Sequence, residues 1–187
     1  MAAVDIASFV ADLKDHVVDH GLHVHDERHF IESYSLRQTW EIDLHPDGAC
    51  EGPLDLHVAL EVDPRVVLGF EDALLELPDR ETPEQEFVLP LIFNWLLPPL
   101  AKAPDFLVLA TDLAGIGGLD LPLEVSAIDS IPSVTDDTLR SLSITARREV
   151  SLNRILLAEE HLCDTLDRCQ HVCNYLLDHA PVWLEEL

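Results

Sequence analysis

Positive charge is what this sequence has least of. Of 187 residues only 11 are Lys or Arg, against 36 Asp or Glu, for a formal net charge of −25. Lysine is confined to Lys14 and Lys102. A chain this acidic repels phosphate backbones and anionic lipid surfaces, so nucleic-acid binding and membrane docking are disfavoured as functions. Cysteine is sparse as well: Cys50, Cys163, Cys169 and Cys173, with no C-x-x-C pair. Four cysteines make no disulfide framework in a chain of this size and read as reduced thiols, so a cytoplasmic location is expected. Met1-Ala2-Ala3-Val4-Asp5 has neither a basic region nor an apolar core, and no secretory leader is expected. The longest apolar stretch, residues 87–100, is broken by Pro90, Asn94, Pro98 and Pro99. A spanning helix needs about 20 predominantly apolar residues, so this stretch reads as core or interface rather than anchor.

Signatures of catalysis are missing too. There is no G-x-S-x-G, and Cys50 lies in a turn with no identifiable base. The one glycine-rich segment, Gly115-Ile116-Gly117-Gly118, lacks a lysine and precedes a strand-like stretch. It therefore reads as a hairpin connection, without the donors that cradle a phosphate. No enzymatic activity is expected on these grounds.

What is present is a globular composition, 48% hydrophobic, in a length that fits one domain with a real core. Residues 38–139 hold −18 of the net charge. A pattern change near Thr135 divides an α+β domain, residues 1–134, from a helical C-terminal extension, residues 135–187, packed on the same domain.

Ile6, Phe9, Val10, Leu13 and Val17 recur at helical spacing, so the pattern predicts a helix over residues 4–20 with Gly21 as its left-handed cap. Residues 30–45 read as a strand ended by His45-Pro46-Asp47-Gly48. Leu54 to Asp63 alternates cleanly: Leu54, Leu56, Val58, Leu60 and Val62 on one face, Asp55, His57, Glu61 and Asp63 on the other. With residues 65–71 as a third strand, an antiparallel meander results, one face buried and one wet and acidic. Thr82, Pro83 and Gln85 resemble a helix start, and a helix interrupted at Pro90 and ended at Pro98-Pro99 is expected. Phe106 to Ala110 reads as a buried strand, and Leu119 to Val125 as an edge strand because of Pro122. Thr135-Asp136-Asp137 would open a helical region, with one long helix over residues 147–179.

The expected class is therefore α+β, an antiparallel sheet with helices on one face in the order αβββαββα, ending in a long C-terminal helix. That order is similar to the compact fold of type III secretion chaperones and related bacterial regulators, across roughly residues 4–165. The resemblance rests on element order and acidity, and it implies a binding protein that forms a homodimer.

Three clusters are candidates for chemistry. Five of the ten histidines lie between His16 and His29. His16 and His20, four apart, share a helix face and could hold a divalent metal with Asp12, Asp19 and His23. Histidines near a helix C-terminus are equally explained by its dipole and by neighbouring acids. Cys169 and Cys173 are also four apart, but they follow the apolar stripe of the C-terminal helix, which favours core packing. Trp183, in an apolar tail, would cover either its own domain or a neighbour's.

Two functional classes follow, with a third behind them. The first is an acidic protein-binding module, an adaptor, chaperone or inhibitor, presenting Asp43, Asp55, His57, Glu61 and Asp63, with Trp183, to a basic partner. The second is a metal-binding enzyme or sensor built on His16, His20 and His23. The third is a structural subunit of a larger assembly, held through the C-terminal helix and Trp183.

Overall fold

The computed structural model describes residues 4–78, 81–131 and 139–184. The chain opens with α1 (Ile6–Asp19), where the Asp5 side chain accepts from Ser8 N at 2.9 Å and caps the first turn. Gly21, at φ +74°, follows it and turns the chain into β1 (Leu22–Ile31). β2 (Gln38–Pro46) and β3 (Asp55–Val62) complete an antiparallel meander. Then come α2 (Pro64–Leu75), β4 (Val88–Leu96), α3 (Phe106–Gly117), β5 (Leu123–Ser130), β6 (Leu139–Ser151), α4 (Leu152–Leu156) and α5 (Cys163–Leu184). The strands form one six-stranded antiparallel sheet in the order β1-β2-β3-β4-β6-β5. The class read from the sequence, α+β with a long C-terminal helix, is the class observed.

One face of this sheet carries the core. Ile42, Leu44, Leu56, Val58, Leu60, Leu89, Leu91, Phe93, Trp95, Leu142 and Ile144 point inward and are buried. They meet Val10, Leu13 and Val17 of α1 and Leu166, Cys169, Val172, Cys173 and Leu176 of α5. Trp95 Nε1 donates to Cys173 Sγ at 3.3 Å, tying the centre of β4 to α5. Burial pushes the Cys173 thiol up to about 12, and raises that of Cys169 as well. Both cysteines are core residues, as their spacing indicated.

Several elements differ from the expectation, each for an identifiable reason. Residues 65–71 form a helix because Asp63-Pro64 starts one: the Asp63 carboxylate accepts from Arg65 N at 2.9 Å, and Pro64 occupies the first helical position. The stretch read as a helix from Thr82 is β4, whose burial alternates at every residue from Val88 to Leu96. A run apolar at nearly every position does not reveal its period. Pro90 is accommodated because the β3–β4 ladder ends one residue later, at Leu60–Leu91. Phe106 to Ala110 is the first turn of α3, capped by Asp105, and Gly117 and Gly118 end that helix rather than joining a hairpin.

Residues 139–151, read as helical, are β6, inserted between β4 and β5. The proposed helix start at Thr135-Asp136-Asp137 lies outside the described residues. The single long helix divides into α4 and α5, and Ala158 between them has φ +54°. The stretch read as one strand, residues 30–45, is the end of β1, a connection and most of β2; β1 itself is too rich in His and charge to announce itself.

Candidate protein-binding face

The register of the sheet lays out its opposite face row by row. One row runs Asp26, Asp43, His57, Asn94, Thr145, Glu124 from β1 to β5. The next runs Arg28, Glu41, Ala59, Ile92, Arg147. A third contains Asp55, Leu96, Ser143 and Ser126. Ala59, Ile92, Asn94, Leu96, Ser143 and Thr145 are all only half-buried, so no described element of this chain covers them. The face has a centre of small, apolar and uncharged polar side chains on β3, β4 and β6, with the exposed Arg147 of β6 beside Ile92, and acids towards both edges.

The acids are partly matched within the face. Arg28 reaches Asp43 at 2.9 Å and both Glu41 and Asp26 at 3.3 Å. Asp43 also bonds His57 Nδ1, so this carboxylate, largely buried, is held from two sides. Burial works against the Arg28 cation, yet Asp43, Glu41 and Asp26 together leave its pKa raised. Asp55 lies 3.4 Å from His45, on the neighbouring strand. Glu61 is exposed and carries no ion pair among the described residues.

At one end the face runs into an open groove of about 600 Å³ between the β1–β2 hairpin, the end of β3 and the start of α2. Phe30, Ile31, Val66, Val88 and Pro90 give it an apolar lining, with Glu32, Glu61, Asp63 and Arg37 around them. Arg37 pairs with Asp63 at 3.1 Å. The bond from Arg65 N is the main reason the Asp63 carboxyl is held below its ordinary value, with the Arg37 bond adding to it.

The five acidic-face residues expected from the sequence, Asp43, Asp55, His57, Glu61 and Asp63, therefore share this face or its end. Asp43, His57 and Asp63 are engaged within the chain, whereas Asp55 and Glu61 are the more open. Arg28, Glu124, Ile92 and Leu96 also belong to the face, and local pattern does not announce them: β1 is rich in His and charge, β4 is apolar at nearly every position, and β5 begins beyond Pro122. Trp183 is not part of it: the side chain is buried in its own domain, stacked with His179, and its carbonyl accepts from Lys102 N at 2.9 Å. Trp183 thus packs against its own chain, while Pro181 and Val182 beside it are exposed.

The histidines do not converge. His16 is exposed on α1 with Nδ1 on the Asp12 carbonyl at 2.8 Å. His20, the C-cap, turns to Asp167 of α5 at 2.6 Å. His23 is exposed on β1, opposite His45. Among the described residues no group of three or more His, Cys, Asp or Glu side chains could hold a metal ion. No helix among them is long and apolar enough to cross a membrane. No family model matches the chain, and neither a curated protein nor a solved structure does.

Proposed function

We propose that this chain is an acidic protein-binding module, an adaptor, chaperone or inhibitor, that presents the open face of its sheet to a basic protein partner. It acts in the cytoplasm, as a homodimer. The observation that carries the reading is the pairing of a six-stranded face that no described element covers with its side chains: a half-buried apolar centre at Ala59, Ile92 and Leu96, an exposed Asp55 whose one ionic neighbour is His45, and an exposed Glu61 with no ion pair among the described residues. An apolar centre supplies contact area, while flanking charge steers the encounter and selects the partner. A net charge of −25 extends that steering over the whole molecule. The discriminating experiment substitutes Ile92→Asp, at the centre, and Asp55→Lys with Glu61→Lys, at the flanks. The centre variant should speed dissociation and the flank variant should slow association. A partner whose rates change in neither variant would remove the face from the proposal.

A further inference from the structure

α3 is apolar beyond the side it buries. Leu109, Leu113 and Gly117 face the core, yet Leu107 is 78% exposed, Val108 56%, and Leu119, just past the helix, 98%. Thr111, Ala114 and Gly115 are exposed too, and their spacing puts them on the same helix face as Leu107 and Val108. This stripe contains no charged residue in a chain with 36 acids. A helix apolar all round is normally a buried one. Its single hydroxyl needs nothing further, since Thr111 Oγ1 donates to the Leu107 carbonyl at 2.7 Å. The flanking carboxylates are also engaged: Asp112 accepts from Tyr175 OH at 2.8 Å, and Asp105 caps the helix.

We propose that this stripe is the contact between two copies of the chain, with α3 of each lying antiparallel on the other about a two-fold axis near Thr111. The proposal rests on the homodimer part of the reading above and gives it a surface. Self-complementarity selects a second copy. About that axis Leu107 opposes Gly115, Val108 opposes Ala114 and Thr111 meets itself, so bulky side chains fall on small ones at both ends, as an isologous contact requires. A Cβ at Gly115 would meet nothing within 4 Å, which leaves room there for the second copy's Leu107. Charge points the same way. Two molecules of −25 associate most readily where neither presents a carboxylate, whereas a basic partner is drawn to the acids of the sheet face. Antiparallel helices also bring opposite dipole ends together.

Because the contact is apolar and the long-range force between copies is repulsive, salt strengthens the dimer. Salt weakens capture of a basic partner, so the two contacts separate by the sign of their response. Sedimentation velocity of the full chain, over a concentration series at low and high salt, provides the test. The wild type should dimerise, more tightly at high salt. Ala114→Glu should raise the dissociation constant by about a hundredfold or more, because two carboxylates would be buried unpaired. Leu68→Glu, on an exposed position of α2, should leave it unchanged. Thr111→Cys, made with the exposed Cys50 and Cys163 replaced by Ser, should give a disulfide-linked dimer under mild oxidation that the same background without Thr111→Cys does not, and this decides the matter even if Ala114→Glu fails to fold. A wild type monomeric at every concentration and salt would overturn the homodimer and the stripe together. A dimer that survives Ala114→Glu, with no Thr111→Cys cross-link, would overturn the stripe and leave the homodimer standing.

Discussion

Phe93→Ala and Ile92→Ala, adjacent substitutions in β4, should have very different costs. Phe93 is fully buried on the inner face, between Val58 of β3 and Ala146 of β6, with its ring centroid 6.1 Å from that of Trp95. Truncating such a side chain leaves a cavity bounded by two strands that cannot collapse, and costs about 3–5 kcal/mol. With a urea slope of about 3 kcal/mol/M, the unfolding midpoint should fall by roughly 1–1.7 M. Ile92 points the other way, half-buried between Ala59 and Arg147, with no described helix above it. Its truncation should cost about 1 kcal/mol, in lost strand preference and partial burial. Urea unfolding of both variants, followed by far-UV circular dichroism, reads the difference directly. Equal losses of several kcal/mol would mean that the outer face is covered and the binding proposal has lost its surface. A larger loss at Ile92 than at Phe93 would mean that the strand is inverted.

Three further outcomes test other parts of the structure. In native protein a thiol reagent should modify Cys50 and Cys163, which are exposed, while Cys169 and Cys173 should react only on unfolding. Tyr175 should ionise near pH 12 in an ultraviolet titration, because desolvation and the bond to Asp112 both favour the neutral phenol. That preference stabilises the fold fully below the ordinary tyrosine value of 10.0 and is lost as pH rises towards 12, so Tyr175→Phe should flatten the alkaline loss of stability. Asp63 works with the opposite sign. Its depressed carboxyl stabilises above its ordinary value of 3.8 and less as pH falls through the folded value, so Asp63→Asn should reduce the acid sensitivity of unfolding.

The parts of the fold that were legible in the sequence are those with one wet face. α1 shows a single apolar stripe and a glycine at its end, and β3 alternates charge with hydrophobe, so both were placed within a residue or two. β4 and α3 were exchanged for one another's type because both are apolar at nearly every position, and periodicity then carries no information. Asp63-Pro64 and Asp105 are capping signals, but Asp-Pro can equally end a strand, and the apolar run after Asp105 shows no helical period. β6 escaped because its inward residues, Leu142, Ile144 and Ala146, alternate with Ser and Thr rather than with charge. The acids expected from the sequence lie on β2, on β3 and at the start of α2, where local alternation shows them. The site's apolar centre required the pairing of β4 with β3 and β6, which no local pattern states.

The most direct measurement of the binding proposal is capture of partners from native lysate on wild-type protein and on Asp55→Lys/Glu61→Lys in parallel, eluted with a salt gradient and identified by mass spectrometry. The expected result is a basic protein held stoichiometrically by the wild type, released at moderate salt and absent from the charge-reversed variant. Equal retention on both, or the absence of any salt-released basic protein, would contradict it.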